Sequence, residues 1–159
     1  MAFSLRRPAR VPGPVLAAAA IGPGERVLTW ARDAAGTTVV ATTHHLYAVS
    51  TAGERSLARP WHEVDAGTWS PELGQLTVTW VDGSRPVQWT LGPSTLLPEA
   101  VRERVQASVV LATRVDLGNR RGARVVIRHD LATGGLWNRS SWAAGCPATT
   151  LRSLRRSRI

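Results

Sequence analysis

A chain of 159 residues with 43% hydrophobic side chains can bury one real core, and no apolar run approaches the ~20 residues of a membrane-spanning helix. The formal charge of +9 sits at the ends. Arg6, Arg7 and Arg10 at the start, and Arg139, Arg152, Arg155, Arg156 and Arg158 after residue 130, leave 12 Arg against 11 acidic residues between. A nucleic-acid-binding domain usually carries its basic stripe on its own folded surface, so specific nucleic acid is disfavoured.

The single cysteine, Cys146, excludes an intrachain disulfide and fits a reducing, cytoplasmic setting. All 20 basic residues are Arg and none is Lys. Guanidinium groups suit bidentate phosphate recognition. GC-rich codon usage, which also explains the abundant Ala, Gly, Pro and Val, accounts for them without any such site.

Residues 1–21 form a basic N-terminal arm followed by a short apolar segment, Val15–Ile21. That segment stands at the lower limit for a secretory h-region and is bracketed by Pro and Gly, so a short turn docking on the body is expected. Glu25–Ala31 reads as the first strand. Thr37–Thr42 and His45–Val49 follow as two more, β-branched or alternating. Ser56–Trp69 is less regular, and Pro60 confines it to a strand start or an edge.

The strongest local signal is Gln75–Leu91. Leu76, Val78 and Trp80, then Val87, Trp89 and Leu91, alternate with polar residues on either side of Asp82-Gly83. A period of two around an Asp-Gly turn predicts a β-hairpin with one apolar face. The period then changes. Leu97, Val101 and Val105 recur at helical spacing, with Pro98 suited to the first turn, which predicts a helix over about 97–108. Val109–Val115 and Ala123–His129 flank LGNRRG and predict an added hairpin over 109–129. Its tip, with Arg120, Arg121, Arg124 and Arg128, is the most basic part of the body. These four, with Arg152, Arg155, Arg156 and Arg158 of the tail, are the candidate anion contacts.

Residues 131–159 show neither period and read as an irregular Arg-rich tail. Back-translated with GC-rich codons and read two bases out of phase, Gly145–Arg158 can spell LPGDDPAVAAAVED, an acidic, helix-favouring sequence. The tail is therefore read as a frameshifted ending that replaced a final helix. An intact frame with ordinary codon usage in the gene would remove that reading.

No constellation for catalysis assembles in the sequence. His44 and His45 are neighbours in a strand and point to opposite faces, His62 and His129 stand alone, and all four read as turn or surface residues. No metal-ligand spacing, P-loop, dinucleotide fingerprint or nucleophile elbow occurs. Glu63 and Asp65, two apart, share a strand face as an exposed polar pair. Cys146 lies in the irregular tail with no base beside it. Seven Trp could stack bases. Trp30, Trp61, Trp69, Trp80 and Trp89 all fall in the β region, however, where they read as core. The expectation is a non-enzymatic protein with no catalytic, cofactor-binding or metal-binding residues and no cofactor.

GERVLTWA (24–31), TTVVATTHHLYAVS (37–50), PWHEVDAGTW (60–69), the hairpin 75–91 and LPEAVRERV (97–105) together resemble a pleckstrin-homology-like (PH-like) module of the bacterial kind, in a pattern seen in uncharacterised actinobacterial proteins. The likeness covers about residues 22–130. It implies a mainly β (α+β) domain, an antiparallel sheet or partly open barrel of short strands capped by one amphipathic helix. Such modules usually end with their helix, whereas this chain continues into a hairpin. The loop Arg32–Gly36 also lacks the basic character of a phosphoinositide-binding β1–β2 loop.

The resemblance therefore implies a class of binding modules and no ligand. The expected function is a small interaction domain acting on an unknown protein partner or on itself. The alternative is weak, non-specific peripheral attachment to an anionic membrane or nucleic acid through the Arg-rich termini.

Overall fold

The computed structural model describes residues 10–116 and 122–142. Its strands form three antiparallel sheets, each joining neighbours in sequence. The first contains β1 (Val27–Arg32), β2 (Thr38–Thr42), β3 (His45–Val49) and β4 (Arg55–Pro60). A single 3₁₀ turn, Trp61–Glu63, leads into the second sheet of β5 (Val64–Ser70), β6 (Gln75–Trp80) and β7 (Val87–Thr90). Helix α2 (Leu97–Ser108) follows, and then the third sheet, with β9 (Gly122–His129) between β8 (Val109–Asp116) and β10 (Leu136–Trp142). A short helix, α1 (Gly13–Ala19), precedes them all. The fold is mainly β, its sheets are not closed into a barrel, and the predicted helix has the bounds expected of it.

The hairpin 75–91 supplies the floor of the core. Leu76, Val78 and Trp80 are buried while the residues between them are half-buried, as the period of two requires. Val78 pairs with Val87 and Leu76 with Trp89, a register centred on Asp82-Gly83. The ladder ends at that first pair, so residues 81–86 form a wider loop than a two-residue turn. The backbone N–H of Val81 bonds instead to the carbonyl of Glu63 (2.9 Å).

Facing this floor are Val39, Ala41, Leu46 and Ala48 of the first sheet, together with Trp61 and Val64. Leu97 and Val101 of α2 complete the cluster. The helix comes so close to β5 that a Cβ on Gly67 would lie 2.5 Å from a methyl of Val101. The other face of the first sheet is covered by α1, whose Val15 and Ala19 pack with Val40, Tyr47 and Val49. β2 is consequently buried on both faces, which explains its near-continuous β-branched run.

Two links tie the first sheet to the second. Pro60 closes the edge strand β4, where no ladder donor is needed, and the chain turns directly into β5. At the other end Asp33 turns the β1–β2 loop and accepts the N–H of Thr90 (2.6 Å), while the N–H of Ala34 bonds to the Thr90 carbonyl (2.9 Å).

The reading of residues 131–159 as irregular throughout is corrected by β10, which pairs with β9 from Leu136↔His129 to Trp142↔Ala123. The added hairpin is thus the start of a three-stranded sheet. LWNRSSW has no apolar face in either register, so periodicity could not show a strand whose pairing is specified by backbone hydrogen bonds to β9. The frameshift reading of 145–158 lies outside the described residues.

Candidate functional site

A cavity of about 270 Å³ opens where the 3₁₀ turn, the start of β5, the β6–β7 loop and β9 meet. Its walls combine apolar surface from Trp80, Val81 and Val126 with the charged groups of Arg59, Glu63, Asp65, Asp82 and Arg128, and with His62.

Arg59, on edge strand β4, organises one side. Its guanidinium lies over the Trp80 ring, 5.0 Å from the centroid, close enough for a cation–π contact. The same group donates to Glu63 Oε2 (2.9 Å) and to Asp82 Oδ2 (3.0 Å). Asp82 also accepts the Ser84 backbone N–H (2.9 Å) through Oδ1. Its hydrogen bonds from Ser84, reinforced by Arg59, hold its carboxyl well below the usual carboxylate range, and its two carboxylate neighbours raise the Arg59 pKa further.

Arg128 forms the opposite wall. Sequence placed it with the anion contacts of an exposed tip. The alternation of β9 instead turns Val126 and Arg128 inward, and both are buried. Its guanidinium donates to Asp65 Oδ1 (3.2 Å), to the Asp65 carbonyl (3.3 Å) and to Ser108 Oγ (3.3 Å), linking β9 to β5 and to the end of α2. The backbone of Arg124 lies opposite Arg114 and Ser141. Arg120, Arg121, Arg152, Arg155, Arg156 and Arg158 lie outside the described residues.

His62, read from sequence as a turn or surface residue, is buried within the 3₁₀ turn and shares the cavity wall with Val126 and Arg128 of β9. Its Nδ1 stands 3.8 Å from Asp130 Oδ1. Burial pushes the imidazole pKa down, and Asp130 only partly restores it. Glu63 and Asp65 do not share a regular strand face either. Glu63 ends the 3₁₀ turn, and the β5–β6 register shifts between Val64 and Ala66. Both nevertheless reach the cavity. The spacing hinted at a carboxylate pair, but no periodic signal marked Arg59, His62 or Arg128 as its neighbours.

Chemically the cavity is suited to holding a group. The Ser84 hydroxyl donates to the wall carboxylate Asp82 (Oδ1, 2.5 Å). Among the described residues no cysteine lines the cavity, and no group of three or more His, Cys, Asp or Glu could hold a metal ion.

A second feature lies on the third sheet. Val110 and Leu111 of β8 and Leu136 of β10 are more than half exposed. Leu111 pairs with Ile127, and Leu136 with His129, so Leu111, Ile127 and Leu136 share the face turned away from Arg128. Among the described residues β8 and β10 each pair only with β9. No helix among the described residues is long and apolar enough to cross a membrane. In comparison with known proteins, no family model matches the chain, and no curated protein does.

Proposed function

We propose that the chain is a small, non-enzymatic cytoplasmic interaction domain of the PH-like kind, and that its partner docks on the sheet β8–β9–β10. The order of four strands, three strands and one closing helix supports the architectural part. The observation that carries the partner reading is the gathering of Val110, Leu111 and Leu136 on the two edge strands. Val109–Thr113 contains no charge and no Pro, two of the devices that protect an exposed edge, and its one irregularity is the register shift between Val109 and Leu111. A second copy of the chain is the occupant to test first, because an antiparallel edge can pair with its own mate across a two-fold axis.

Light scattering on the full chain should show a dimer that grows with concentration, and Leu111→Arg combined with Leu136→Arg should return it to monomer. A clean wild-type monomer at high concentration would remove the self-association reading.

Attachment to an anionic surface through the Arg-rich ends remains the second reading. It is favoured by the charge distribution, because the 12 Arg and 11 acidic residues of the body nearly cancel while the two ends carry Arg and no acid. Binding of the full chain to anionic liposomes or DNA should then fall steeply with salt and weaken when Arg152, Arg155, Arg156 and Arg158 are changed together to Gln. Equal binding by that variant would end this reading.

A further inference from the structure

We propose that the cavity bounded by the 3₁₀ turn, β5, the β6–β7 loop and β9 is a binding site for an organic monocation, a primary ammonium carried on an aliphatic stem as in a lysine side chain. This site uses the face of β9 opposite to Leu111 and Leu136, and it does not depend on docking there.

The charges of the wall set the sign. Glu63, Asp65 and Asp82 face Arg59 and Arg128, which leaves one negative charge in excess while His62 is neutral. Exposure points the same way. The side chains of Asp65, Glu63 and Asp82 are 51%, 33% and 30% exposed, against 29% for Arg59 and 6% for Arg128. On the β9 side an entering group therefore meets Asp65 before Arg128, while Glu63, Asp82 and Arg59 are about equally accessible on the other side.

Coordination of those carboxylates is also incomplete. Among the described residues Glu63 accepts only through Oε2 and Asp65 only through Oδ1. Glu63 and Asp65 both line the cavity, and a carboxylate has capacity for about four hydrogen bonds, so each keeps acceptor capacity beyond its bond to an arginine. An ammonium group carries three donors that spread in different directions, which suits acceptors arriving from the 3₁₀ turn and from β5. Val81, Val126 and the exposed part of Trp80 supply apolar walls for the methylene stem. A metal ion is the wrong occupant, because the acids do not converge into a group that could ligate one.

The experiment titrates n-butylammonium into the ¹⁵N-labelled full chain and follows the Trp80 indole N–H and the Gly83 amide, with butyrate as the anionic control. A saturable shift at these two signals is expected with butylammonium and none with butyrate. Glu63→Gln combined with Asp65→Asn should weaken binding about tenfold or more, equivalent to at least ~1.4 kcal/mol. Since those carboxylates also hold Arg59 and Arg128, Val81→Phe provides a second variant. It fills the cavity from a partly exposed position, keeps every charge, and should also abolish the shift. The proposal is overturned if butyrate moves the same signals with equal affinity. Binding that survives Val81→Phe, or no saturation by butylammonium, would overturn it as well.

Discussion

Two polar clusters, one where the chain enters the first sheet and one where it leaves it, show how similar residues acquire different roles. At Glu25 the network is closed. The carboxylate side chain is only 2% exposed and accepts from His45 Nδ1 (3.0 Å), Tyr47 Oη (2.9 Å), the Gly22 N–H (3.3 Å) and the Thr42 hydroxyl. Burial pushes this carboxyl up, but the Thr42, His45 and Tyr47 bonds more than offset it, and the net shift is downward. Burial and the bond to Glu25 drive the Tyr47 hydroxyl well above its ordinary value. Nothing is left for a ligand, and the network fastens the loop after α1 to β2 and β3. Around the cavity the carboxylates are part-exposed, and two of them keep acceptor capacity in reserve. The difference separates a polar cluster that specifies the fold from one that can bind.

The largest effect should follow from disturbing the closed cluster. In Glu25→Gln, one carboxylate oxygen becomes NH₂, either the one that bonds Thr42 and His45 or the one that bonds Tyr47 and the Gly22 N–H, and the remaining oxygen loses its charge. Losing these charge-assisted bonds in a buried site should cost about 2–4 kcal/mol, measured by denaturant unfolding. A loss below about 0.5 kcal/mol would mean that the network is not closed.

The next effect concerns α2, whose packing on β5 frames the core beside the cavity. Gly67→Ala places a methyl 2.5 Å from Val101 Cγ1 and should destabilise by about 1–3 kcal/mol. Val101→Ala in the same chain should recover part of that loss, because it removes the colliding methyl. Additive losses in the double variant would exclude the clash as the cause.

The contrast between the clusters also explains what could be seen in the sequence. Leu76, Val78, Trp80, Trp89 and Leu91 were visible because burying one face of a strand imposes a period of two, and Leu97 and Val101 because a helix imposes its own. Each of these seven lies in the core. Arg59, His62 and Arg128 come together from the end of one sheet, a 3₁₀ turn and a third sheet, and no spacing in sequence encodes that meeting. Arg128 lay in an Arg-rich stretch, so composition suggested a solvent-facing charge. Only the alternation with Val126 hinted that it turns inward. β10 was illegible for a different reason, since its pairing follows β9 and no apolar face of its own records it.

His62 offers a test by pH, with a smaller effect. Burial holds its folded pKa below the ordinary 6.5, so the unfolded chain takes up the proton first. The stability contributed by neutral His62 is therefore complete above about pH 6.5 and is lost as pH falls through the folded value. Asp130, Glu63, His45 and Arg128 all act on this imidazole, and Asp130 most strongly opposes the shift. Wild-type Tm should fall between pH 7 and pH 5, and the fall should be reduced in His62→Gln. An unchanged slope in that variant would assign the acid sensitivity elsewhere.

The smallest effect should come from Glu63→Gln, and it bears most directly on the comparison. Arg59 loses one carboxylate but keeps Asp82 at 3.0 Å, its contact with Ser84 Oγ (3.4 Å) and its place over Trp80. Both members of the Arg59–Glu63 pair are about one-third exposed, so solvent screens it, and such pairs contribute about 0–1 kcal/mol. The same chemical change that costs about 2–4 kcal/mol at Glu25 should thus be nearly silent in unfolding at Glu63 while weakening butylammonium binding. If Glu63→Gln proves as destabilising as Glu25→Gln, the cavity carboxylates are fold-specifying groups like Glu25. The distinction between a closed and an open cluster would then fail, because an acid that stability cannot spare is held by its partners too firmly to turn toward a ligand.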